Sequence, residues 1–149
     1  MAEIILDGGP ILLLDGKGRV TIPTRHREAL KAMCEDQLTI TKSLRRCLTI
    51  FPRPVYETFR AKILAWPLEN DDWRRLFVAG SAPVEIDSAP RVLVPPELRA
   101  WAGIERDVYL FGMGQRFELW DKARYDAHEA AVMASRAPAL MNWIGGNLL

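Results

Sequence analysis

One stretch of this chain occurs twice. Leu14-Asp15-Gly16-Lys17-Gly18-Arg19-Val20-Thr21-Ile22-Pro23 has its counterpart 72 residues on, in Ile86-Asp87-Ser88-Ala89-Pro90-Arg91-Val92-Leu93-Val94-Pro95. Each copy runs from an apolar strand through an Asp, three turn-forming or polar positions and an Arg into a short strand ending at Pro. A helix follows in both, carrying a further Arg (Arg27 and Arg99) at the same offset of 72. Beyond the helices the offset drifts slowly. Leu38-Thr39-Ile40 matches Val108-Tyr109-Leu110, Leu48-Thr49-Ile50-Phe51 matches Phe117-Glu118-Leu119-Trp120, and Tyr56 matches Tyr125. Two copies of one unit drift in this way when their loops differ in length. The chain is a tandem duplication, and that must be settled before its fold.

The unit has a local physical reading. Ile11-Leu12-Leu13-Leu14 and Val20-Thr21-Ile22 are strand-like runs on either side of Asp-Gly-Lys-Gly. Two glycines, and an Asp able to bond its own backbone, predict a tight reversal. Pro23 cannot donate to a ladder and stops the strand. Thr24 is then placed to cap a helix over 24 to about 34. Lys17 and Arg19 are thus expected at the tip of a short hairpin, with Asp15 orienting Arg19 by a charge-assisted bond. In a single copy, Asp15 and Arg19 as a mere turn brace is an equal reading; two copies at one spacing favour function.

Length and charge set limits. Halves of roughly 70 residues are marginal alone, so an intertwined pair is physically more sensible than two beads. An apolar share of 49% with five Trp and five Phe suffices for a packed globular core. A net charge of +1 means that any polyanion site must come from local clustering. Cys34 and Cys47 lack CxxC spacing and read as buried free thiols of a reducing cytoplasm. No apolar run near the start is long enough to span a bilayer, and no basic segment precedes one, so a cytoplasmic protein is expected.

Taken in order, residues 1–66 form the first unit, 67–81 a helical connector, and 82–149 the second unit with a C-terminal helix. Residues 1–10 are of mixed character, with Gly8-Gly9-Pro10 as a breaker. A second hairpin with a basic tip, Lys42 to Arg46, is expected between strands 38–41 and 47–51. Val55, Phe59, Ile63 and Trp66 make an apolar helical stripe, and Asn70-Asp71 can cap a further helix bearing Trp73, Leu76 and Phe77. Large apolar residues make this connector an inter-unit or oligomer contact. In the second unit Pro96 opens a helix that Gly103 closes. Asp121 caps a last helix through about Ala137, and an apolar tail either packs on a neighbour or frays.

No catalytic set emerges. His26 and His128 lie on different helices without partners at ligand spacing, so no metal site is expected. Nucleophile-elbow, zinc-protease and P-loop patterns are missing, and Asp15 and Asp87 each have an Arg four residues on that keeps them ionised. No cofactor or small-molecule substrate is implied. Lys17, Arg19, Arg25 and Arg27, by contrast, place four cations in eleven residues. A two-stranded ribbon is narrow enough for the major groove, where Arg bidentate to guanine O6 and N7 is the commonest specific contact.

The ordered set resembles the MraZ family of bacterial transcription regulators, built from two AbrB-like swapped-hairpin units, each marked by Asp-x-x-x-Arg. Asp15 to Arg19 with Val-Thr-Ile-Pro is similar to the first signature. Asp87 to Arg91 with Val-Leu-Val-Pro-Pro-Glu-Leu-Arg is similar to the second. Arg74-Arg75-Leu76-Phe77-Val78-Ala79-Gly80, Ala102-Gly103-Ile104 and Phe117-Glu118-Leu119-Trp120-Asp121 fall where the family has similar segments. Two departures stand out: Pro90 replaces the usual Gly before the second Arg, and residues 1–10 lack a Met-Phe opening. The resemblance implies an α+β fold, with two tandem units interleaved into a β-barrel-like core and helices outside. It implies a repressor of the division and cell-wall gene cluster that reads G-rich direct repeats in duplex DNA as a homo-oligomeric ring at the nucleoid. The DNA-binding candidates are Asp15, Lys17, Arg19, Arg25, Arg27, Asp87, Arg91 and Arg99, with Arg19 as base reader, Lys17 and Arg25 on phosphates, and Arg91 a lesser counterpart. Rival expectations are an AbrB-like antitoxin or transition-state regulator, a structural ring protein without base readout, and an enzyme holding a phosphorylated ligand.

Overall fold

Three prolines divide the chain in the same manner. Pro23, Pro52 and Pro95 hold φ near −55° and ψ near +139°, and each stands immediately ahead of a helix. Proline fixes φ and withdraws a donor, so each one stops a strand and starts a helix. The computed structural model describes residues 4–145. Within them run β1 (Ile11–Leu13), β2 (Arg19–Thr21), α1 (Thr24–Cys34), β3 (Gln37–Lys42), β4 (Leu48–Pro52) and α2 (Arg53–Leu64). A 3-10 turn (Leu68–Asn70) leads into α3 (Asp71–Arg74), which continues as a π-helical turn (Arg75–Ala79). Then follow β5 (Ala82–Glu85), β6 (Arg91–Leu93), α4 (Pro96–Ala102), β7 (Asp107–Gly112), β8 (Phe117–Asp121), α5 (Lys122–Ser135) and α6 (Ala137–Ile144).

The fold is α+β. Six strands form one antiparallel sheet in the order β1-β7-β8-β4-β3-β5, open at β1 and β5, and β2 and β6 form a separate two-stranded ribbon. The halves are interwoven: β1 pairs with β7, β4 with β8, β5 with β3, and β2 with β6. The expected hairpin of β1 on β2 is therefore corrected. The Asp15–Arg19 turn is present, but the strands on its two sides leave for different sheets. Alternation explains the core. Val20, Ile22, Val92 and Val94 of the ribbon meet Leu38, Ile40, Leu48, Ile50, Leu110, Phe117 and Leu119 of the sheet, all fully or almost fully buried. Burial of this apolar area at about 25 cal/mol per Å² is the main force holding the halves together.

Several local expectations change. Thr24 is the first helical residue, not the cap: Pro23 stands at the cap, its C=O accepting the His26 N–H at 3.0 Å. Asn70 likewise makes no side-chain cap, whereas Asp121 caps α5 by accepting from the Arg124 N–H at 3.2 Å. The helix expected to run from Asp121 to about Ala137 ends at Ser135 as α5, and a separate α6 opens with Pro138 in its first turn. Of the N-terminal stretch, Leu6 is fully buried and its N–H donates to Gly114 O at 2.7 Å. A Cβ at Gly112 would lie 1.2 Å from Leu6 O, so only glycine admits this crossing. The remaining tail residues, 146–149, and residues 1–3 lie outside the described residues. Among the described residues no helix is long and apolar enough to cross a membrane.

Candidate nucleic-acid interface

The ribbon brings the two motifs together. Arg19 faces Leu93, Val20 faces Val92, and Thr21 faces Arg91. Side chains alternate along a strand, so with Val20 and Val92 fully buried, Arg19, Thr21, Arg91 and Leu93 share the outer face. Two further bonds extend the pairing with the symmetry of the repeat: Ile22 N–H donates to Pro90 O at 2.9 Å, and Val94 N–H to Gly18 O at 3.0 Å.

Each turn is organised by its Asp. Asp15 Oδ1 accepts the Lys17 and Arg19 N–H groups, both at 2.9 Å, and Asp15 Oδ2 accepts Arg19 Nε at 2.7 Å. The Arg19 N–H above all, with the Arg19 side chain and the Lys17 N–H, holds the carboxyl down to about 2 against an opposing desolvation second only to the first of these. Asp87 Oδ1 repeats the pattern, accepting Ala89 N–H at 2.9 Å and Arg91 N–H at 2.8 Å, and its pKa is lowered chiefly by the Arg91 N–H. The turns then diverge. Gly18, at φ +83°, donates its N–H to Asp15 O at 3.0 Å. Pro90 has no N–H, and the second turn lacks that closure. Arg91 Nε stands 3.5 Å from Asp87 Oδ2 without a hydrogen bond, while its Nη1 lies 3.7 Å from Asp15 Oδ2. Asp15, Arg19, Asp87 and Arg91 thus form one cluster.

The second pair of arginines is structural as well as adjacent. Arg27 Nε donates to Ile22 O and Arg99 Nε to Val94 O, both at 3.0 Å, locking each strand to its helix. Each also crosses to the other motif. The Arg99 guanidinium packs on Gly18, and Arg27 lines a cleft of about 250 Å³ with Lys31, Asp36, Asp87, Ser88 and Pro90. Lys17 is exposed at the turn. Arg25 points elsewhere: its guanidinium lies against Gly8, with Nε 3.3 Å from Nε2 of the buried His26. Burial lowers the His26 pKa, Arg25 adding to the effect, so its imidazole is kept neutral against the edge of Phe117.

The expected basic tip is present, and it carries contacts that sequence spacing did not give. At the β3–β4 turn, Lys42 Nζ and Arg46 Cζ lie 5.4 and 4.8 Å from the centre of the Trp101 ring. These cation–π contacts tie the first unit's tip to the second unit's helix, and nothing in the sequence links residues so far apart. Cys34 and Cys47 are free and buried, with desolvation pushing both thiols up, Cys47 to about 11. Among the described residues no group of three or more His, Cys, Asp or Glu could hold a metal.

Two copies of a turn-strand-helix unit, exchanging strands and meeting at a paired Asp-x-x-x-Arg cluster, define a class of duplicated α+β proteins. A family model described as "MraZ protein, putative antitoxin-like" matches residues 11–79 and again 77–139. The chain is 51% identical to the Transcriptional regulator MraZ of Methylibium petroleiphilum over 93% of its length and 94% of the relative's. It is 51% identical to that of Ralstonia pickettii (93% and 99% covered) and 49% to that of Leptothrix cholodnii (95% and 97%). The chain belongs to the MraZ family.

Proposed function

We propose that the protein is a transcriptional regulator that binds duplex DNA, a repressor reading G-rich direct repeats ahead of the division and cell-wall genes, in the cytoplasm at the nucleoid. The observation that carries this reading is the presentation of Arg19. Asp15 takes its Nε, and among the described residues neither terminal nitrogen is hydrogen-bonded, so both remain for guanine O6 and N7. Lys17, exposed beside it, serves a phosphate; Asp87 and Arg91 complete the cluster, and Arg27 and Arg99 hold the turns while adding positive charge. Arg25 would reach a phosphate only from the helix face near Gly8. The relatives' name supports regulation, and the strand exchange between the halves supports two swapped-hairpin units around a barrel-like core, divided near 1–66, 67–81 and 82–149.

With a net charge of +1, one chain binds weakly, and a homo-oligomeric ring supplies the missing contacts. Direct repeats suit head-to-tail subunits, as a two-fold dimer suits a palindrome. The test is a footprint of the protein on the DNA upstream of its own gene, with Arg19→Ala beside it. Evenly spaced protected G-rich repeats, lost in the variant at matched salt while fold and mass persist, are expected; an unchanged footprint refutes Arg19. The words "antitoxin-like" in the family description favour a second reading, in which DNA binding is coupled to a protein partner. A toxin co-purifying with the chain and altering that footprint would identify it.

A further inference from the structure

We propose that Arg91 is a positioning residue that bridges the carboxylates of both motifs and, through Asp15, fixes the Arg19 guanidinium for base contact. This rests on the reading that Arg19 meets a base. The geometry that carries it is an asymmetry between two arginines at equivalent places in the repeat. Arg19 is satisfied inside its own turn, Nε to Asp15 Oδ2 at 2.7 Å. Arg91 is not: its Nε, buried and without a hydrogen bond, stands 3.5 Å from Asp87 Oδ2. Its Nη1 instead reaches across the ribbon to 3.7 Å from Asp15 Oδ2. One oxygen, Asp15 Oδ2, faces both guanidiniums.

Position 90 accounts for the difference. Gly18 closes the first turn with its own N–H, whereas Pro90 has none to give and cannot take a positive φ. The first turn therefore holds its Arg tightly and the second leaves its Arg to straddle both acids. A carboxylate set between two cations has little freedom to rotate, so the plane of Arg19 is fixed before DNA arrives. Arg91, with Nε towards one carboxylate and Nη1 towards the other, is held by charge between the two acids. Each chain presents one reader and one brace.

The test compares wild type, Arg91→Ala, Arg91→Lys and Arg19→Ala. The arginine Nε–H resonances are followed in DNA-free protein, and affinity for a G-rich repeat duplex and a scrambled duplex is measured across a salt series. Arg91→Ala is expected to speed exchange of the Arg19 Nε–H about tenfold by freeing its acceptor. It should also cut the specific-to-scrambled affinity ratio about tenfold, as a misplaced guanine contact would. The salt slope should stay within about half a contact of wild type. Arg91→Lys, still able to bridge, should recover most of the ratio, and it carries the test if the alanine variant does not fold. A slope that falls by about one contact with Arg19 exchange unchanged would make Arg91 a phosphate ligand and overturn the proposal. Unchanged exchange with an unchanged ratio overturns it equally. If Arg19→Ala leaves the ratio intact, the base-reader reading fails, while the exchange rates in free protein still decide the bridge.

Discussion

Replacing Gly18 by Ala should destabilise the protein through two separable effects. Gly18 sits at φ +83°, where a Cβ is strained by roughly 1–2 kcal/mol. The same Cβ would lie 2.5 Å from Arg99 Cζ and 2.7 Å from Arg99 Nε, so the guanidinium must swing away. In leaving, it breaks the 3.0 Å bond from Arg99 Nε to Val94 O, a charged-donor bond worth about 1.5–3 kcal/mol. The two add to about 2.5–5 kcal/mol, which relaxation of the half-buried Arg99 lowers to about 2–4 kcal/mol. In an Arg99→Ala background only the backbone strain remains, and Gly18→Ala should cost about 1–2 kcal/mol. The assay is denaturant unfolding of the four proteins of this double-mutant cycle at one protein concentration. A coupling of about 1–2 kcal/mol is expected. Equal costs of Gly18→Ala in both backgrounds, within about 0.5 kcal/mol, would refute the claim that the second unit's helix clamps the first unit's turn.

Three further outcomes follow from the same geometry. The Asp15 carboxyl is lowered from 3.8 to about 2 in the folded protein, so its stabilising bonds are fully present above pH 3.8 and lost as pH falls through 2. Acid titration of Asp15→Asn should accordingly show a shallower loss of stability between those values, and a wild-type slope in the variant would refute the assignment. With both thiols buried and Cys47 raised to about 11, neither Cys34 nor Cys47 should react with a disulfide reagent at pH 8 until the chain unfolds; prompt labelling of native Cys34 would refute the packing at the end of α1, and of Cys47 that around the β3–β4 turn. Phe77 meets Phe59 edge-on with centroids 5.3 Å apart and so packs on its own chain, whereas Trp73 is 41% exposed. Trp73→Glu should lower the assembled mass in sedimentation while Phe77→Ala mainly lowers stability, by about 2 kcal/mol for a half-buried ring; an unchanged mass for Trp73→Glu places the subunit contact elsewhere.

The repeat, the family, the two Asp-Arg turns, the helix that Pro96 opens and the basic β3–β4 tip were all legible in the sequence. Each depends on residues a few positions apart, or on a spacing that can be read without coordinates. Asp15 orienting Arg19 is wholly local; Arg27 reaching Ile22 O is local too, although spacing offered Arg27 only as a DNA-binding candidate. Pro90 could be seen to make the second turn unlike the first.

Which strand pairs with which was decided only by the tertiary structure. β1 and β2 flank one turn and look like a hairpin, yet each finds its partner in the other half. An apolar run of three or four residues specifies a buried face but not the strand beside it, and two similar units offer each other nearly equivalent edges. From that exchange came contacts that sequence spacing could not give: Asp15 facing Arg91, Arg99 packed on Gly18, and Trp101 under Lys42 and Arg46. The residues of the candidate site were determined by the sequence. Their assembly into one cluster depends on contacts such as Asp15 with Arg91 and Gly18 with Arg99, far apart in sequence, which only burial of the shared core brings within ångströms.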